Sequence, residues 1–193
     1  MPSFDYDFQY LKAGVHALEQ YLLAAEVYWP LGVKAPGGEP PYPLLTLGAL
    51  LLARTRLNVL DLDTPQGAAL QKLELEISAL HSRWSVAWEK KAAREFSARL
   101  RLWGDYLEEV RAQPENHLDR YAYEVGRRVM LALLQEQASG VPAAEIELLN
   151  GLDHLLRGLF ASGAFIWEDV YQRAFPPQSY WYLYGSLKDK REK

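Results

Sequence analysis

Cysteine is absent from this 193-residue chain, which removes disulfide frameworks, thiol nucleophiles and thiolate metal sites together. Histidine is scarce, and the four present, His16, His81, His117 and His154, fall on four different predicted helices. A di-metal carboxylate site in a bundle needs Glu-x-x-His, because residues three apart share a helix face. The positions three before these histidines are Ala13, Ser78, Pro114 and Gly151, so no copy of that motif exists. There is no His-Glu-x-x-His zinc signature either, and no metal or cofactor is expected. Basic charge is not in excess: the net charge is -4 and the pI about 5.6, which disfavours nucleic acid and anionic membranes as partners. The longest apolar runs, around 44–53 and 159–167, are too short to cross a bilayer. The first seven residues are acidic and lack the basic and apolar regions of a secretion signal, which makes the cytoplasm the expected compartment. Alternating strands are missing as well. The pattern predicts an all-α, single-domain bundle of five or six helices with no β-sheet, spanning 1–187, and a frayed charged tail at 188–193.

What the chain does have is one dominant stretch, Pro65 to Arg111, with a proline only at its start and glycine only at 67 and 104. Its apolar stripe runs Leu70, Leu73, Ile77, Leu80, Trp84, Trp88, Ala92, Phe96, Leu100, Trp103, Leu107, Val110. The spacing averages about 3.6 residues, the α-helical period, with no heptad drift towards a coiled coil. It reads as one long helix or two stacked ones, bending near 85–91 if it bends, with Thr64 and the carboxylates of Asp61 and Asp63 as its capping groups, a cation site being the alternative for the two aspartates, and Pro65 in the first turn. A second apolar line, Leu75, Ala79 and Val86, predicts that the first half lies centrally and is buried on two sides. The second half is charged outside one stripe, with Lys91, Glu95 and Arg99 four apart along an outer face.

Shorter helical patterns flank this stretch. Phe4, Phe8, Leu11, Val15, Leu18, Leu22 and Ala25 mark a first helix behind Ser3 and Asp5, expected to end near Tyr28 to Pro30. Trp29 to Pro43 holds five prolines and three glycines and reads as a long crossover whose Tyr28, Trp29 and Tyr42 cap one end of the bundle, with a partner-docking or self-association loop as the alternative. An apolar helix follows at 44–58, then helices after Asn116 and after Pro142, and a short one from Gly163 to about Arg173. The chain then becomes aromatic, with Tyr180, Trp181, Tyr182 and Tyr184 crowded together.

Three constellations are candidates for function. His81 shares a face with Trp84 and Trp88, which suits a general base or ligand contact if a carboxylate such as Glu19 or Glu26 meets it; the structural reading is a boundary histidine with one hydrogen bond. Lys90, Lys91 and Arg94 form an anion-binding candidate, against the simpler reading of a solvated face. Phe96, Leu100, Trp103 and Leu107, with Tyr180, Trp181, Tyr182 and Tyr184, are partner-binding candidates, since aromatics anchor interfaces. The alternative for the last four is that they seal the core, and for the first four that later helices cover them. The expectation is a non-catalytic interaction or assembly module that self-associates, as a homodimer, or binds another protein. The competing expectation is an enzyme or sensor with a small-molecule or metal pocket near His81, Trp84 and Trp88.

Overall fold

The first helix begins where the sequence offers an oxygen to its free amides. The Ser3 hydroxyl accepts from the Tyr6 amide at 3.2 Å, and α1 runs Phe4–Leu23. In this computed structural model, which describes residues 3–188, six more α-helices follow: α2 (Leu47–Leu57), α3 (Thr64–Arg83), α4 (Ser85–Ala112), α5 (Tyr121–Glu124), α6 (Gly126–Gln137) and α7 (Ala143–Leu159). The charged residues 189–193 of the expected tail lie outside the described residues. No described helix is long and apolar enough to cross a membrane.

The long stretch is two helices. Trp84, at φ −121° and ψ 33°, ends α3 and precedes α4, just ahead of the expected 85–91 bend. Its amide still donates to Leu80 O at 2.9 Å and its carbonyl accepts from the Trp88 amide at 2.8 Å, so the chain turns with few bonds lost. Trp84 is tied to Glu19 on α1 and Trp88 to Gln137 on α6, each indole bond being 3.1 Å. Anchoring neighbouring indoles on different helices accounts for a bend that no proline or glycine marks. Of the expected capping groups it is Asp63 that serves α3: its carboxylate accepts from the Gln66 amide at 2.8 Å and the Gln66 side chain returns the bond, a full capping box.

The expected asymmetry between the halves is inverted. On α3 only Leu70, Leu73 and Ile77 are buried, and the supposed second buried line is open, with Leu75 67 % and Val86 62 % exposed. α4 is the central element and touches α1, α2, α3, α6 and α7. Its apolar stripe is covered by the same chain, so Phe96, Leu100, Trp103 and Leu107 are all buried without a second copy. The core built on it is one cluster, reaching from Tyr10 to Leu187.

Two strands correct the expectation of no β-sheet. β1 (Phe160–Phe165) leaves α7 directly and pairs antiparallel with β2 (Tyr184–Leu187), Phe160 facing Leu187, Ser162 facing Gly185 and Phe165 facing Tyr184, with an irregularity between Ser162 and Phe165. The small residues 161–164 give a helix nothing to bury, whereas an extended chain satisfies its amides on β2. The short helix expected from Gly163 is accordingly this strand followed by a 3-10 turn at Asp169–Ala174. At Gly185, φ is +145° and a Cβ would lie 2.1 Å from the Ala161 carbonyl oxygen, so the ladder requires glycine there.

Candidate functional site

The charged residues that the helical wheel places outside α4 turn out to fasten the interior. Lys91 is 2 % exposed; its ammonium donates to the carbonyls of Ala24 and Glu26 at 2.7 and 2.8 Å and lies 4.5 Å from the Tyr21 ring centre. These carbonyls lie at and just beyond the C-terminus of α1, where a cation is favoured. Burial, then the nearby Arg94, lowers the Lys91 pKa from its ordinary value. One turn on, the fully buried Glu95 carboxylate accepts from the Gly48 amide at 3.0 and 3.1 Å, at the start of α2, and from Arg99 Nε at 2.5 Å. Arg99 in turn donates to the Thr46 hydroxyl at 2.7 Å, and that hydroxyl accepts from the Ala49 amide. A Cβ on Gly48 would stand 2.7 Å from the Glu95 oxygen, so the glycine lets the carboxylate reach the backbone. One face of α4 thus pins both ends of the proline-rich crossover, which is itself closed by paired bonds between Trp29 and Leu45.

This assigns the basic candidates. Lys91 is committed to main-chain carbonyls, while Lys90 and Arg94 point to solvent, so the three do not converge on an anion. A second interior pair, missed from sequence, joins Asp7 of α1 to Arg56 of α2 by bonds of 2.7 and 2.5 Å. Burial raises the Asp7 carboxyl above its ordinary value even with Arg56 against it.

The His81 constellation is dispersed. His81 is exposed and packs on the Trp88 ring at 4.7 Å, tilted by 50°. Glu19 instead accepts from Trp84, with Arg83 3.5 Å from its carboxylate, and Glu26 contributes its main-chain carbonyl to Lys91. No group of three or more metal-binding side chains occurs among the described residues. Gln137, which accepts from Trp88, borders an open groove of about 300 Å³ between α2 and α6, with Arg54, Asn58 and Glu136 along it. Arg54 there is held by Glu74 at 2.8 and 2.9 Å.

The aromatic tail divides. Tyr180 and Tyr182 are buried and cover the bundle, so of the four aromatic candidates only Trp181 and Tyr184 reach the surface. The main-chain carbonyl of Tyr182 accepts from the Tyr121 hydroxyl at 2.7 Å, and its ring lies under Arg128, which is paired with Asp153 at 2.7 Å. Trp181 and Tyr184 are half-buried and line an open groove of about 370 Å³ with Arg157, Phe160, Ser162, Gly163 and Pro177. The Arg157 guanidinium sits 3.8 Å over the Trp181 ring, a cation on an aromatic plate. Ala161 to Ala164 are exposed along β1, and the sheet has only two strands, so the outer edge of β1 carries no strand neighbour among the described residues. The site offers main-chain donors and acceptors, an aromatic floor and a guanidinium. Arg157, Ser162 and Gly163 were not singled out from sequence; the available signal was a run of small residues between the last helical stripe and the aromatic segment.

Comparison with known proteins returns no matching family model, no matching curated protein and no matching solved structure.

Proposed function

We propose that this protein is a non-catalytic interaction module that docks a polypeptide on the face made by β1, Arg157 and Trp181. The observation that carries the reading is the open outer edge of β1, exposed from Ala161 to Ala164 and continuous with the Arg157–Trp181 groove. An unpaired edge presents a row of amides and carbonyls that an added strand satisfies, while side-chain pockets beside it supply selectivity. The interior ion pairs support the same reading, since Glu95, Asp7 and Asp153 each have a structural partner in Arg99, Arg56 and Arg128. A photoreactive residue placed at Ser162, with the exposed Leu75 as a control, tests it in cells that express the protein. The reading expects polypeptide adducts at Ser162 above the control; equal labelling at both positions would overturn it.

The alternative of a ligand-binding protein draws on the His81–Trp88 stack and the groove beside Gln137. A thermal-shift screen over metabolites and metals checks it, with Trp88→Phe expected to abolish any shift that depends on that groove.

A further inference from the structure

We infer that residues 39–45 form a polyproline II helix whose open side docks into an aromatic-lined groove of another protein. This surface uses none of the β1 face and does not depend on it. Three prolines set the local geometry. The rings of Pro40, Pro41 and Pro43 fix φ at about −65°, and Glu39, Pro40 and Tyr42, each followed by a proline, are pushed out of the helical region into extended backbone. The segment belongs to no described helix or strand, and polyproline II turns once in about three residues. Exposure along it repeats with that period. Glu39 and Tyr42 are half-buried and Leu45 is fully buried, while Pro40, Pro41, Pro43 and Leu44 between them are exposed. A β-strand would alternate at every second residue instead. One ridge, Glu39–Tyr42–Leu45, therefore lies on the molecule, and two, Pro40–Pro43 and Pro41–Leu44, face solvent.

The inner ridge holds the segment in shape. The Tyr42 ring packs on Tyr6 and Tyr10 at 4.7 and 5.5 Å between centres, and its hydroxyl donates to the Tyr6 carbonyl at 3.3 Å. The Tyr6 and Tyr10 hydroxyls donate in return to the carbonyls of Pro41 and Leu44 at 3.4 and 3.3 Å. A turn from Pro36 to Glu39 and the paired bonds between Leu45 and Trp29 close the two ends. A helix already held in this form loses little entropy when bound, and proline ridges of this kind fill grooves lined by aromatic rings. The open ridges carry no charge, since Glu39 belongs to the inner one, so the groove that fits them recognises them by ring contact and not by ion pairing. No donor among the described residues reaches the carbonyls of Pro40, Tyr42 and Pro43, which leaves them for an indole or hydroxyl of the groove.

Titration of isotope-labelled SH3, WW and EVH1 domains with the unlabelled full chain, read by amide shifts in nuclear magnetic resonance, tests this. At least one domain should bind, with its shifts confined to the aromatic groove. Pro40→Ala/Pro43→Ala should weaken that binding by about tenfold, two fixed φ angles and one ridge being lost together, with an unchanged helical circular dichroism spectrum. Pro41→Ala/Leu44→Ala should weaken it through the other ridge, and Leu75→Ala should leave it as it is. A synthetic peptide of residues 38–45 should displace the full chain, and affinity should hold from low to high salt. Absence of binding across the panel overturns the inference, as do shifts outside the groove, binding that both double variants leave unchanged, or binding that salt abolishes. Self-association that Pro40→Ala/Pro43→Ala removes would give the segment to a second copy and overturn it equally.

Discussion

α3 and α4 carry the same apolar period in sequence and end in opposite roles. α3 buries three side chains, is held by its capping box and leaves Leu75 in solvent, whereas α4 buries eleven residues, three of them charged. The difference teaches that a helical stripe reports one buried face and nothing about the others. Whether a polar face is also enclosed depends on what main chain waits opposite it, and α4 meets the ends of α1 and α2 there.

The largest way to break this contrast is alkaline titration. Tyr10, Tyr21, Tyr106, Tyr121 and Tyr182 surround the α4 side of the core, α3 contains no tyrosine, and burial raises all five hydroxyls above their ordinary value of 10.0. Above that value the unfolded chain ionises while the folded chain stays protonated. The native state then binds more protons, so stability is intact below pH 10.0 and is lost as pH rises beyond it, by about 1.4 kcal/mol per pH unit for each tyrosine. In a variant whose exposed Tyr28 and Tyr123 are replaced by phenylalanine, ionisation of these five hydroxyls should accompany the loss of helical circular dichroism; their ionisation in a chain that keeps its helices would contradict the burial.

Core truncation comes next. Trp103→Ala on α4 should cost about 3–5 kcal/mol in chemical denaturation. Glu95→Gln should cost about 3 kcal/mol, because it leaves the Arg99 charge enclosed without its anion. If Glu95→Gln is nearly neutral, the interior pairing does not secure α2 as described. On α3, Asp63→Ala should cost only about 1 kcal/mol through the lost cap. Leu75→Ala should stay within about 0.5 kcal/mol, and a larger loss would show that the outer line of α3 is covered in solution, sharpening the search for a partner there.

Much of the helical layout was legible locally. The Ser3 cap, the stripe from Phe4 to Leu22 and the apolar line from Leu70 to Val110 follow from residues three and four apart, whereas α1 ends at Leu23, earlier than the Tyr28 to Pro30 that the pattern suggests. The break at Trp84 was only half legible, because its anchors Glu19 and Gln137 lie on other helices. β1 was not legible as a strand, since Ala161 to Ala164 lack the β-branched or alternating residues that announce one. Its partner, Tyr184 to Leu187, lay hidden in a segment that read as irregular and aromatic. The face proposed for docking was therefore legible only through Trp181 and Tyr184.

By itself the sequence determined where most helices begin, which stripe of each is apolar, and that thiol chemistry and the Glu-x-x-His and His-Glu-x-x-His motifs are lacking, because these depend on residue type and short spacing. Tertiary structure alone decided that Lys91, Glu95 and Arg99 turn inward, that α4 rather than α3 is central, and that Phe96 to Leu107 are covered. The physical reason is that a buried charge is tolerable only where distant main-chain groups meet it. The carbonyls of Ala24 and Glu26 and the amide of Gly48 come to α4 through the fold, not through its local pattern.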